Sequence, residues 1–373
     1  MDYSRGYTAQ FYAVTVDPVS WSDMSRVELI SGSISRTNAD LRQTAQLSVR
    51  DFDPDREHWI RIYMDARQNE DISHIPLFTG LVSSPQDDIN GAVKTLPLEC
   101  YSVLEPLRDI KLDRGWYLPA GTNAAQAIRR LMQVTPAPLV IPLSADYLQD
   151  FIIAENNESN LTMVDKVLTA MGWTLYIEGD GTVVVGPKSE DVVATFSSND
   201  VDIIEKAVTI KHDWFSCPNV FRASSGDLTA IARDDNPNSP LSTVNRGREV
   251  IMAEDGVSLS SNEGIAQYAD RRLKEEQNRI EEAQYNRRYW PSVNIGSLIK
   301  LDYQQIRGLY TVKEQNISLT YAAQTAETVE LKSRESKTSD FTPKPLQARI
   351  LLPDDNYFIM PDGNYVTVPV AAR

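Results

Sequence analysis

The sequence predicts a mainly β protein in which two runs of antiparallel strands flank a compact α+β segment. Three observations carry this. Period-two alternation dominates residues 11–101 and returns after residue 200. Between them, residues 105–187 switch to helical spacing and finish in a hairpin pattern. The chain has 373 residues, enough for two or three domains with substantial cores.

The first run holds the clearest strands. TAQLSVR sets Ala45, Leu47 and Val49 on one face and Thr44, Gln46, Ser48 and Arg50 on the other. HWIRIYM sets Ile60, Ile62 and Met64 against Trp59, Arg61 and Tyr63. Residues 77–82 and 92–103 flank a connection containing Asn90-Gly91, a pair that accepts positive φ and suits a tight hairpin. Pro97 lacks a backbone donor, so its strand is expected at an edge or with a bulge. The pattern fits a barrel or a sandwich.

In the middle segment, GTNAAQAIRRLM predicts a helix capped by Thr122 with Ala124, Ile128 and Leu131 on one stripe. NLTMVDKVLTAMG predicts a second, with Leu161, Val164, Leu168 and Met171 buried and Gly172 ending it. Residues 173–177 and 182–185 read as a hairpin around Gly179-Asp180-Gly181.

Strands return with AVTIKHDW and NVFRASSG. The polar stretch from Asp227 to Gly247 reads as a long surface loop. Ser260 and Glu263 match a capping box, opening a helix with Ile265, Ala269 and Leu273 buried. SLIKLDY, GLYTVKEQNISLTY and ETVELKSR are three further strands. SKTSDFTPKPLQ is a proline-stiffened linker.

Composition excludes several functions. The net charge of −15 disfavours sequence-independent grip on nucleic acid, which calls for a basic surface. No apolar run is long enough for a membrane-spanning helix, and no secretory signal is expected from MDYSRGYTAQFY. The Asn-x-Ser/Thr triplets at Asn157, Asn160 and Asn316 are therefore expected to be unused, and Cys100 and Cys217 to be buried free thiols.

Catalytic patterns are missing. The histidines are His58, His74 and His212, none in metal-protease spacing, and there is no nucleophile elbow, P-loop or dinucleotide fingerprint. Asp51, Asp53 and Asp55 mimic the start of a calcium loop, but Arg56 and Ile62 stand where the loop needs its Gly and its bidentate Glu. The pairs Asp87-Asp88, Asp234-Asp235 and Asp354-Asp355 are expected to be turn residues. Trp116-Tyr117 and Tyr289-Trp290 fit barrel plugs or interdomain packing, with carbohydrate platforms or interface anchors as the functional alternative. No cofactor, metal or catalytic residue is expected. The alternatives to a structural protein are a carbohydrate- or receptor-binding β protein and a glycosidase using two carboxylates that sequence cannot pair.

The order of segments is the most informative feature. VELISGSISRTNADLRQTAQLSVRD, then PLFTGLVSS and LPLECYSVLEPL, then YLPAGTNAAQAI, LTMVDKVLTAMGWTLYIEGDGTVVVGP and finally YWPSVNIGSLIKLDYQQIRGLYTVKEQNISLTYAAQTAETVELKSR, follow in series over residues 1–334. This series resembles the baseplate hub proteins of long-tailed bacteriophages and contractile injection systems, including the late control D type. Pro291, Ile295 and Gly296 are similar to one strand motif of that family, and Gly308, Tyr310 and Val312 to its partner strand.

The resemblance implies two tail-tube-like antiparallel β-barrels, at 1–105 and 200–335, with the α+β domain at 106–199 between them. Ile295, Leu298, Ile299, Tyr310 and Val312 are apolar, so by its residues this strand pair is expected to close a small barrel against the preceding helix. The resemblance also implies a homotrimer that joins a tail-tube or distal tail protein to a central spike protein among other baseplate proteins. DNA would pass through its channel, and the virion tail baseplate would be its location after synthesis in the host cytoplasm. No lytic domain is visible, so no enzyme activity is implied.

Residues 336–373 lie beyond the resemblance. PDDNYFIM and PDGNYVTV nearly repeat. Pro361-Asp362-Gly363 suits a hairpin turn between NYFIM and NYVTVPV, and the alternative is two rungs of a three-chain β structure. Tyr357, Phe358 and Tyr365 argue for a docked attachment tail, because a lone hairpin is marginal in water.

Overall fold

The computed structural model describes residues 1–333 apart from 4, 51, 84–87, 91–92, 198–203, 258, 260, 279 and 304–305, together with short strands at 347–349 and 367–369. The chain divides into two compact units, Met1–Lys211 with Glu281–Glu335 and His212–Ile280 with Ser336–Arg373. It is mainly β, as the alternation predicts.

The chain opens with β1 (Thr8–Val16), β2 (Asp23–Arg36), β3 (Gln43–Arg50), β4 (Trp59–Gln68), β5 (Asp71–Val82), β6 (Asp88–Asn90) and β7 (Val93–Ser102). Six of them close on themselves. The order runs β1-β4-β5-β7-β3-β2, and β2 pairs back onto β1. Inward positions obey the predicted parity: Ala45, Leu47 and Val49 on β3 and Ile60, Ile62 and Met64 on β4 are buried. The small β6–β7 hairpin pairs Asn90 with Val93. Pro97 faces Ser48 of β3, between the stretches of β7 that pair β6 and β5, so its missing donor meets no second strand. The barrel core also takes Tyr289, Ile317, Leu319 and Ala323 from the far end of the chain.

Next come α1 (Glu105–Asp109), β8 (Tyr117–Leu118), α2 (Ala124–Met132), β9 (Leu139–Val140), β10 (Ile152–Ile153), α3 (Asn160–Met171), β11 (Trp173–Ile177) and β12 (Val183–Pro187). Both predicted helices form. The cap of α2 is Asn123 rather than Thr122: its side chain accepts from Gln126 N, while the Thr122 hydroxyl donates to Pro119 O. Gly172 ends α3 at φ 65°, as expected. The stripes of α2 and α3 share one core with Val16, Leu41, Trp59, Val103 and Leu104, so this α+β layer is built onto the end of the first barrel.

That layer explains why Trp59 and Arg61, on the expected outer face of β4, are both only 6% exposed. The β11–β12 tip is pinned through its backbone carbonyls. Gln43 Nε2 donates to Ile177 O (2.6 Å), Thr79 Oγ1 to Gly179 O (2.9 Å), and Trp21 Nε1 and Arg61 Nη2 both to Asp180 O (3.0 Å each). A Cβ on Gly179 would fall 1.9 Å from Pro76 O, so only glycine permits this approach.

The remaining elements are β13 (Val192–Ser197), β14 (Ile204–His212), β15 (Val220–Ser225), β16 (Leu228–Arg233), α4 (Thr243–Arg246), β17 (Ile251–Glu254), α5 (Asn262–Asn278), β18 (Glu281–Arg288), β19 (Leu298–Tyr303), β20 (Ile306–Ser318), β21 (Gln324–Ser333), β22 (Gln347–Arg349) and β23 (Thr367–Pro369). The sheet of the first unit continues through β13-β19-β20-β21-β18-β14 around a core of Phe196, Tyr285, Ile299, Leu301, Tyr310, Val312 and Val329. Two pairs of the later strands depart from the antiparallel expectation: β13 runs parallel to β19, and β15 parallel to β17. Four residues of β2, Ser33–Arg36, pair with Gln315–Ser318 of β20 and join the two strand sets.

In the second unit, β16-β15-β17 form a three-stranded sheet, and α5 buries Ile265, Tyr268, Ala269 and Leu273 against Phe221, Ala223 and Ala232. The expected helix stripe is correct, but α5 packs on this sheet and not on the β19–β20 pair. Ser260 lies outside the described residues; the side chain that accepts the first-turn amide is Ser261, from Gly264 N at 3.0 Å. The stretch expected as loop contains β16 and α4. Its alternation LTAIAR is short and flanked by polar residues, which hid it.

Candidate functional site

Of the residues singled out by family resemblance, Gly308, Tyr310 and Val312 lie on β20, whereas Pro291, Ile295 and Gly296, expected in a strand, lie in the turn that leads into β19. After Pro291 the chain turns, with Val293 N donating to Trp290 O and Ser297 N to Asn294 O. Gly296 has φ +81°, a left-handed backbone that glycine adopts without strain, and its N donates to Val312 O at 2.9 Å. Val312 N returns a bond to Ser297 O at 3.0 Å. The ladder then runs from Leu298–Thr311 to Tyr303–Ile306, with Gly308 opposite Leu301. Tyr310 and Val312 point into the core, Ile295 packs at its margin, and the Tyr310 hydroxyl donates to Glu281 Oε1 at 2.6 Å. These six residues build a wall and carry no reactive group.

Chemistry buried nearby went unnoticed in the sequence. Arg287 and Glu327 face each other with both side chains at 0% exposure. Arg287 Nη2 and Nε donate to Glu327 Oε1 and Oε2 at 2.6 and 2.9 Å. Tyr285 Oη donates to Oε2 and Gln315 Nε2 to Oε1. Burial works against the carboxylate, but the Arg287 charge and the three donors outweigh it and hold the Glu327 carboxyl below its ordinary range. Burial first, then the Glu327 charge, push the Tyr285 phenol well up, so it stays a donor.

A second buried arginine spans the join between the strand sets. Arg36 of β2 donates to Leu77 O on β5 (2.5 Å) and to Asn294 Oδ1 in the turn before β19 (3.1 Å), with its guanidinium 5.7 Å from the Tyr289 ring centre. Tyr7 Oη donates to Tyr289 O (2.7 Å), and Trp290 packs edge-on against Phe196. Tyr289 and Trp290 are thus plugs, as the packing reading held. Trp116 packs against the α+β core, while Tyr117 is 60% exposed.

The acidic strings behave as turns. Asp53 accepts from Asp55 N and pairs with Arg56; Asp51 lies outside the described residues. Asp234 accepts from Asn236 N, Ser239 Oγ and Gln277 Nε2, and Asp235 pairs with Arg233. Asp87 and Asp354-Asp355 lie outside the described residues, as does the side chain of Asp88. Among the described residues no three acidic, histidine or cysteine side chains are placed to hold a metal ion, and no helix is long and apolar enough to cross a membrane. Cys100 and Cys217 are free and buried.

The tail residues Tyr357, Phe358, Pro361, Asp362, Gly363 and Tyr365 lie outside the described residues. Of that region β22 and β23 are described, and they pair antiparallel, Thr367 opposite Arg349.

No family model matches the chain, and no curated protein matches it. Solved structures do. The 43 kDa tail protein of prophage MuSo2 from Shewanella oneidensis superposes with a TM-score of 0.62 at 13% identity, over 86% of this chain and 98% of that one. A tail protein from Neisseria meningitidis gives 0.64 at 14%, over 87% and 97%. This chain has a phage tail-protein fold. A chain of the Francisella PdpA–VgrG complex shares the tail-protein fold more distantly, with a TM-score of 0.52 at 8% identity over 91% of this chain and 59% of that chain.

Proposed function

We propose that this chain is a structural hub of a phage or phage-like tail baseplate, joining the tail tube to a central spike as a homotrimer. The observation that carries the reading is two β strand sets in one chain, coupled through the β2–β20 ladder. Three such chains place six barrels around a three-fold axis, the arrangement a six-fold tube on one side and a three-fold spike on the other would need. The division into barrels at 1–105 and 200–335, with the α+β domain at 106–199 between, belongs to the same proposal. So do the virion location and synthesis in a host cytoplasm.

The role is mechanical rather than catalytic: nucleating the tube, anchoring the spike and forming part of a conduit for DNA. The charge of −15 suits a channel wall that repels a passing polyanion; a trimer channel lined with net positive charge would rule that out. The 336–373 tail is the attachment device, docking on a neighbouring subunit or the spike.

A native mass measurement tests the assembly. Three chains, and mixed rings with a tail-tube protein, are expected. A stable monomer would overturn the hub reading. One observation favours the glycan-binding alternative: Tyr117 on β8, opposite Ile153 of β10, and Phe151, just before β10, are each 60% exposed. A monomer that retains glycans on an array would establish it.

A further inference from the structure

We infer that Asp213–Ile280 is a separately folding insert, whose unfolding leaves the two strand sets of the first unit intact. Four observations lead there. The insert lies between β14 and β18, which are neighbours in the large sheet, so the sheet's order does not depend on what intervenes. Its ends meet: Asp213 N donates to Ile280 O at 2.8 Å, leaving no gap for a bridging segment to span. Its three strands form a sheet of their own, and its core, from Phe221 to Leu273, is a cluster distinct from the three others.

The fourth observation is that its buried and half-buried polar groups are satisfied from within. Asn219, fully buried, donates to Leu241 O and Arg248 O and accepts from Val250 N. Asp234 ties the loop after β16 to α5 through Ser239 and Gln277. Glu254 of β17 accepts from Tyr268 and Arg272 of α5. A buried hydrogen-bonding group left unpaired is costly, so a segment that closes its own network needs no outside partner to stay folded. With 17 residues in α5 covering one sheet face, it has the minimum layers of a domain. Local opening of such units at their own free energy is ordinary behaviour.

The consequence is modular. An insert joined at one point can be lengthened, exchanged or lost while the barrels keep their register. The inference concerns folding and stands whether or not the chain is a hub.

Hydrogen exchange on the full chain tests it, comparing wild type with Leu273→Ala and Phe221→Ala. Amides of 220–276 should exchange at least tenfold faster, while those of 8–82 and 298–333 keep wild-type rates. A third variant replaces 214–279 with a four-residue Gly-Ser bridge. It should retain the wild-type exchange pattern in 8–82 and 298–333. Faster exchange in those strands in any of the three variants overturns the inference, as does an insert whose exchange neither core substitution alters.

Discussion

Glu327 and Arg287 show what one buried charge can cost. Each is fully buried and each is the other's counter-ion. Glu327→Ala leaves the guanidinium unpaired in the core, and a loss of about 3–5 kcal/mol is expected in chemical denaturation. The paired change Arg287→Met with Glu327→Leu should recover most of it, which a double-mutant cycle reads directly. The pH sign follows from the lowered carboxyl. Its contribution is fully present above the unfolded glutamate value, about 4.3, and is lost as pH falls through the lower folded value. Wild type should therefore lose stability faster than Glu327→Gln on acidification below about pH 4.3, followed by the thermal midpoint. This pair was half-legible. Glu281, Ala283, Tyr285 and Arg287 share the inward parity of β18, and Glu327 shares that of β21 with Val329, so opposite charges sat on two core faces. Alternation alone does not say which strands meet, and the pairing stayed hidden.

At the scale of elements, the tip of the β11–β12 hairpin makes the sharpest claim. Gly179→Ala drives a methyl into the Pro76 carbonyl, a backbone group that cannot turn aside. A cost on the order of 1–3 kcal/mol is expected, seen as a lower denaturation midpoint. Gly186→Ala is the control: its Cβ meets Pro142 at an ordinary 3.7 Å, and a change within about 0.5 kcal/mol is expected. Most elements could be read from local pattern, because helix stripes and strand alternation are local properties. Helix starts moved by one residue, from Thr122 to Asn123 and from Ser260 to Ser261, because neighbouring polar residues compete for the same amides. β16 was missed because six residues amid Asp, Asn and Pro give too short a period.

For the whole molecule, the strand series was legible and its closure was not. Ser33–Arg36 meets Gln315–Ser318 across most of the chain, and nothing local marks that meeting. The same holds for the candidate site: Gly296 was read within a strand and lies in the turn before it, and Arg36 bridging Leu77 and Asn294 left no local sign. Assembly predictions belong here. Truncation after Gln347 should weaken trimer or spike attachment while hydrogen exchange in β1–β7 and β18–β21 stays at wild-type rates; unchanged assembly in sedimentation would remove the tail from the mechanism.

The plug of the first barrel also sets an order of events on the ribosome. Strands β1–β7 and the α+β layer are contiguous and are made before the second strand set. Tyr289, Ile317, Leu319 and Ala323, which complete that barrel's core, follow only after β13–β17 and α5. Until then the nascent chain holds a ring of strands with an apolar opening and a free stretch of β2 at Ser33–Arg36. Closure of that opening therefore waits for residues that follow the whole of β13–β17 and α5 in the chain.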